Sequence, residues 1–205
     1  RLRHPDTILA VHMRGAFRNQ CEEGLVLPDH TCVILDGEIV NDYVSDNPGA
    51  FELIHMKGKG CNSFSGGRII LENKVFSAIS GAGASNAFLL DGVDVDLHSE
   101  HGGLGSNSVN AVSSKEHFGP FVVRGCGIRD PGHRGIWMHV SKRVYALGNR
   151  CSAGGFSIDF DAYCFHSAAI FNTVTRNSYH SGIFFEECVK SNTAFANLCE
   201  KNPAN

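Results

Sequence analysis

Apolar residues along this chain come in short bursts. Thr31-Cys-Val-Ile-Leu-Asp-Gly, Gly67-Arg-Ile-Ile-Leu, Pro120-Phe-Val-Val-Arg, Gly135-Ile-Trp-Met-His-Val and Gly182-Ile-Phe-Phe-Glu-Glu are runs rich in Val, Ile and Phe, each bounded by Gly, Asn, Asp or Ser. Nowhere do apolar residues hold the i, i+3, i+4, i+7 spacing of an amphipathic helix over roughly 12 residues. Short strands separated by turn residues predict an all-β architecture.

The bursts repeat. Arg124 to Leu147, Gly148 to Phe171 and Asn172 to Phe195 align as three copies of 24 residues, and Ala196 begins a fourth. Each copy has a Gly-rich or Asn-rich turn, a strand, a polar corner and a second strand of small and apolar residues. Asn149, Thr173 and Asn197 fall in one column of this alignment, as do Cys164 and Cys188. One such unit cannot bury its inward face alone. Coils stacked at about 4.8 Å pair every strand with its copy above and below and enclose a narrow core. The pattern therefore predicts a right-handed parallel β-helix, a solenoid with coils of about 24 residues, spanning residues 1–205 as a single domain. In the N-terminal half, Leu25 to Val40 and Ala87 to Leu97 read as coils with longer insertions, and 41–67 and 98–114 as loops. Asn at a fixed corner suits the design, because it tolerates the left-handed conformation and can hydrogen-bond its equivalent one coil on.

Composition narrows the class. Of 205 residues, 42% are hydrophobic and 19% charged, an ordinary globular balance. A net charge of −3 excludes a chain-wide basic nucleic-acid binder. No apolar run approaches the roughly 20 residues of a membrane-spanning helix. Eight Cys without a zinc-type CxxC pair point to a secreted, partly disulfide-bonded protein. Cys164 and Cys188, in neighbouring coils, would be the pair within bridging distance, whereas Cys151 and Cys199 would lie two coils apart. The start at Arg1, with no signal-peptide pattern, predicts a processed chain or part of a longer parent chain, with self-association of coils open to it.

The repeat resembles the parallel β-helix superfamily of pectate lyases, polygalacturonases and mannuronan C5-epimerases. Leu27 to Val40 looks like the opening coils of such enzymes, and Gly155 through Asn197 resembles the generic repeat of the epimerases. Asp130-Pro-Gly-His133 is similar to the Asp-Pro-His segment of the epimerase active site, with one extra Gly. Phe184 to Leu198 also resembles β-helix segments of large animal extracellular proteins, including cell-surface hyaluronidase-like proteins. The resemblance implies an extracellular protein with a polysaccharide partner. Because this fold hosts lyases, hydrolases, epimerases and inert stalks, the site residues must decide the activity.

Alternation in strands supplies them. Ile136 and Met138 should face inward, Trp137 and His139 outward. Extending the alignment puts His139, Asp159 and Glu186 in one outward column with Trp137 and Phe184 beside it. His133 and His180 lie along one edge, with Asp130, Arg134 and Arg176 nearby. Proton abstraction beside a uronate carboxylate needs a base, a cation for the developing dianion and an acid for the leaving oxygen. His133 or His139 could be the base and Arg134 or Arg176 the cation, with Trp137, Phe184, His180 and Asp130 holding the sugar. A glycoside hydrolase would instead use two carboxylates, Asp159 with Glu186 or a pair from Asp91, Asp94 and Asp96. A non-catalytic scaffold or adhesive segment is the third expectation, with the column a solvated ladder. No cofactor is required by the pattern. Asp91, Asp94 and Asp96 alternate on a strand and either bind Ca²⁺ or form a polar face; His98, Glu100 and His101 fix no third metal ligand.

Overall fold

A computed structural model describes residues 8–47, 50–56, 60–73, 75–81, 87–97, 110–129, 133–152, 155–176, 181–187 and 190–201. Among these the chain is all β, wound as a parallel solenoid of about 6 turns with no helix. Each full coil lays down one strand on each of three faces.

The first face is a seven-stranded parallel sheet whose order runs Ile183–Phe185, Phe156–Asp161, Arg134–His139, Asn110–Lys115, Ser77–Ser80, Glu52–His55, Leu25–Val26. The second face stacks Cys61–Ser65, Ala87–Asp91, Phe121–Arg124, Val144–Leu147, Ala168–Ile170 and Thr193–Phe195. The third stacks Arg68–Leu71, Asp94–Leu97, Gly127–Arg129, Arg150–Ser152, Thr173–Thr175 and Leu198–Glu200. These two faces join through Thr31–Asn41, an 11-residue strand that bends across both and carries Leu9–Asn19 on its outer edge. Parallel pairing needs a long crossover, and here the other two faces of each coil supply it.

Register files like residues into the core. Ile54, Ile79, Val112, Ile136, Ile158 and Ile183 stack inward along the first face. Ile39, Ile69, Val95, Ile128, Cys151 and Val174 do so along the third. On the second face the file tapers from Phe64 and Leu90 through Val123 to Ala146 and Ala169. Nearly all are fully buried, and each large aliphatic contributes about 1.5–3 kcal/mol.

The corner between the second and third faces explains the turn residues. Gly92, Gly125, Gly148, Phe171 and Ala196 occupy it in successive coils, all with φ between 52° and 63°. The asparagines that follow form a ladder: Asn149 Oδ1 accepts from Cys126 N–H, Asn172 Oδ1 from Asn149 N–H, and Asn197 Oδ1 from Asn172 N–H. The column is thus Asn149, Asn172, Asn197, and the expected place of Thr173 is corrected by one. The coil step is 23 residues from Asn149 to Asn172 and 25 from Asn172 to Asn197, where a constant 24 was expected. Loops between faces absorb the difference while strand pairing keeps its register.

The bend of the long N-terminal strands rests on Gly37, which sits opposite Gly15 at φ 147°. A Cβ there would fall 2.0 Å from the Gly15 carbonyl oxygen, a backbone atom that cannot swing away. Gly37→Ala is expected to lower the unfolding free energy by about 2 kcal/mol or more, measured by denaturant titration. An unchanged midpoint would mean that this bend is not formed.

The cysteines depart from expectation. All seven described cysteines are free thiols, so no disulfide forms among the described residues. Cys164 is buried and donates to the carbonyls of Met138 and Asp161. The pairing of Phe165 with Lys190 sets a step of 25 at this level; Cys188 itself lies outside the described residues. Burial pushes the thiol of Cys126 up to about 11 and that of Cys164 up to about 12, so both stay protonated at neutrality. Cys151 and Cys199 do share a column two coils apart, with Val174 between them.

Candidate active site on the first face

Two adjacent strands build the site. Arg134–His139 and Phe156–Asp161 alternate, so the even-numbered core residues Ile136, Met138, Ile158 and Phe160 turn inward. Trp137, His139, Asp159 and Asp161 take the other side. Register sets Trp137 beside Asp159 and then Phe184, and sets His139 beside Asp161. The expected column of His139, Asp159 and Glu186 is therefore corrected. Asp161 is the neighbour of His139, and Asp159 sits two positions along on the same face.

Asp161 organises the open edge. Its Oδ2 accepts from Trp137 Nε1 at 2.9 Å and lies 3.1 Å from His139 Nδ1, while its Oδ1 accepts from Ala162 N–H at 2.7 Å. Burial pushes this carboxyl up. The donors from Trp137 and Ala162, with His139 and Arg134 beside them, outweigh that and hold it below the usual carboxylate range. An ionised Asp161 fixes His139 with Nδ1 toward the carboxylate and leaves Nε2 for a proton-transfer partner.

Asp159 is the unusual group. It is fully buried, its Oδ2 takes the Nε–H of Arg134 at 2.5 Å, and its Oδ1 has no partner. Burial pushes its pKa up to about 7, against the pull of Arg134, with Asp161 and Glu186 adding to the rise. A carboxyl that titrates near neutrality can give or take a proton at working pH. Asp159, Asp161 and Glu186 each bring an oxygen within 4.8 Å of the others. Three such oxygens are the donor type of a hard cation such as Ca²⁺, although Arg134 already supplies positive charge to two of these carboxylates.

Arg134 ties the group together. Its Nη1 lies 3.1 Å from His133 Nδ1, its Nη2 lies 3.7 Å from Asp161 Oδ2, and its guanidinium sits 5.0 Å from the Trp137 ring centre. Trp137 is only 8% exposed, edge-on to Phe76 and tilted against His139. It forms a wall of the site rather than an open platform. Phe184 lies tilted against Phe156, ring centres 5.1 Å apart, and stays partly exposed.

Of the expected residues, His133, Arg134, Trp137, His139, Asp159, Phe184 and Glu186 gather here. Arg176 is exposed at the end of its third-face strand, and no described contact joins it to the group. Asp130 and His180 lie outside the described residues, as do His98, Glu100 and His101. Asp91, Asp94 and Asp96 do not share one strand as expected. Asp91 is on the second face with Arg124, whereas Asp94 and Asp96 are on the third, where Asp96 pairs with Arg68 and Arg129.

Sequence reasoning missed Asp161, although its alternation with Asp159 was the signal that could have found it. It also missed a cluster nearer the N-terminus on the same face, where Glu52 accepts from Ser80 Oγ at 2.9 Å and lies 2.7 Å from His55 Nδ1. There the serine donates to the glutamate, so it forms no serine–histidine nucleophile pair.

No family model matches the chain, and neither a curated protein nor a solved structure matches it.

Proposed function

We propose that the protein is an extracellular, carbohydrate-active β-helix protein that acts on a uronate-containing polysaccharide, by lyase or C5-epimerase chemistry. The resemblance to pectate-lyase-like and epimerase repeats agrees with this reading. The observation that carries it is Asp159, a carboxyl with a pKa near 7 held between a guanidinium and two further carboxylates, one residue pair away from His139.

In this reading His139 Nε2 takes the proton from C5 of the uronate, with Asp161 as the positioning residue behind it. Arg134 uses its remaining N–H groups to steady the uronate carboxylate as charge builds on it. Protonated Asp159 serves as the acid once substrate binding parts the side chains that bury it. In a lyase it gives its proton to the leaving glycosidic oxygen as the C4–O bond breaks and the C4=C5 bond forms. In an epimerase the bond to oxygen survives and a proton returns to C5 from the opposite side.

A panel of polyuronates tests this. A lyase yields products that absorb in the near ultraviolet, and an epimerase changes the uronate composition seen by proton NMR without shortening the chain. New reducing ends without ultraviolet absorbance would replace the reading with a glycoside hydrolase, for which Asp161 and Glu186 are the available carboxylates. Binding without any product would favour a scaffold. His139→Ala is expected to reduce turnover about 100-fold or more on the active substrate. Full activity in that variant would contradict the base assignment.

A further inference from the structure

We propose that the third face carries a second binding cleft, one that holds an anionic saccharide unit through Arg129 and Arg150. The cleft has a volume of about 420 Å³ and runs over four successive coils, roughly 14 Å along the solenoid axis. It lies on a different face from the Asp159 group, and a chain with an inert first face would keep it.

Register explains why a depression forms there. The outward column runs Arg68, Asp94, Gly127, Arg150 and Thr173, so a glycine interrupts a line of longer side chains. The Asp94 carboxylate leans over that gap, and a Cβ on Gly127 would meet its Oδ1 at 2.1 Å. The neighbouring column runs Asp96, Arg129, Ser152 and Thr175. Two guanidinium groups thus stand one strand apart, followed by the hydroxyls of Ser152, Thr173 and Thr175.

The cations are held in different ways. Arg129 Nε lies 3.6 Å from Asp96, which also pairs with Arg68, so this guanidinium is already positioned. Arg150 is exposed, and among the described residues its guanidinium has no carboxylate partner. A planar fork of donors without an acceptor, flanked by hydroxyls at strand spacing, matches a carboxylate or sulfate ester on a sugar ring and the ring's own hydroxyl groups.

Nucleic acid fits less well. None of the lining residues is aromatic, so bases would have nothing to stack on, and Asp94 at the rim with the overall charge of −3 opposes a dense polyanion. A saccharide with spaced charges avoids both obstacles.

Isothermal titration in the Asp159→Asn background keeps the probes intact. Oligogalacturonate and a sulfated chondroitin oligosaccharide serve as acidic probes, and a cello-oligosaccharide as the neutral one. The expected result is that at least one acidic probe binds, that added salt weakens it, and that Arg150→Ala weakens it about tenfold or more. Arg150→Lys should restore part of the loss. Binding of oligogalacturonate alone assigns a carboxylate, and binding of the sulfated probe alone assigns a sulfate ester. If neither acidic probe binds, or if Arg150→Ala and Arg150→Gln both bind as tightly as the parent, the cleft does not have this role.

Discussion

Asn172→Ala is expected to lower the free energy of unfolding by about 3 kcal/mol or more, because it leaves several buried polar groups without a partner. The side chain is 1% exposed and sits in the middle of the ladder. Its Oδ1 accepts from the backbone N–H and the side-chain amide of Asn149, and its amide donates to the Ala146 carbonyl and to Asn197 Oδ1, each at 2.9 Å. Alanine removes the partner of Asn149 and of the Ala146 carbonyl in the coil before, and of Asn197 in the coil after, at once. Asn172→Asp separates the two halves of the effect. It keeps the acceptor for the Asn149 N–H but loses the donor to Ala146 and buries a charge, so it should cost a similar amount. Thr173→Ala, one position on and only half-buried, should cost well under 1 kcal/mol. Equal losses at 172 and 173, by chemical denaturation, would place the corner in the wrong register.

Asp159→Asn is expected to reduce turnover by about 100- to 10,000-fold, the usual contribution of a positioned acid or base. The same substitution should alter the pH dependence of stability, in a direction that follows from the raised pKa. Asp159 holds its proton in the folded chain up to about pH 7, whereas an unfolded aspartate releases it near pH 4. Below about pH 4 the group is neutral in both states and costs nothing. As the pH rises from about 4 to about 7 the fold loses stability relative to the unfolded chain, by a few kcal/mol in all. Asparagine carries no such proton. The difference in stability should therefore move in favour of the Asn variant across that window and level off above it. A parallel pair of stability curves from pH 4 to pH 8 would contradict the burial of this carboxyl.

Much of the solenoid was legible in the pattern of residues. Short Val/Ile-rich runs closed by Gly or Asn describe strands, and their recurrence near 24 residues describes coils. What the pattern could not carry was the exact step. A constant period pairs Asn149 with Thr173, and only hydrogen bonding shows that Asn172 takes the place. The connection from the third face to the first face of the next coil changes length without changing either strand, so the sequence spacing drifts while the register does not.

The site divides in the same way. Alternation alone puts Trp137, His139 and Asp159 on the outer side of the first face, and that is where they lie. It could not choose between Asp159 and Asp161 as the neighbour of His139, since both have the same parity. Nor could it anticipate that Trp137 and Asp159 are covered, because what packs over a sheet is not written in the strand's own period. The raised pKa of Asp159 comes from that cover, and so it was invisible at the level of sequence. The eight cysteines invited a disulfide reading, yet Cys126, Cys151 and Cys164 are core residues that use sulfur as a small apolar filling.

The most direct measurement is a carbon-13 NMR titration of the Asp159 side-chain carboxyl in the intact protein. If neighbouring coils bury it against Arg134, Asp161 and Glu186, its chemical shift will change with a midpoint near pH 7. A midpoint near pH 4, that of an aspartate in water, would contradict both the stacking of these strands and the chemistry built on it.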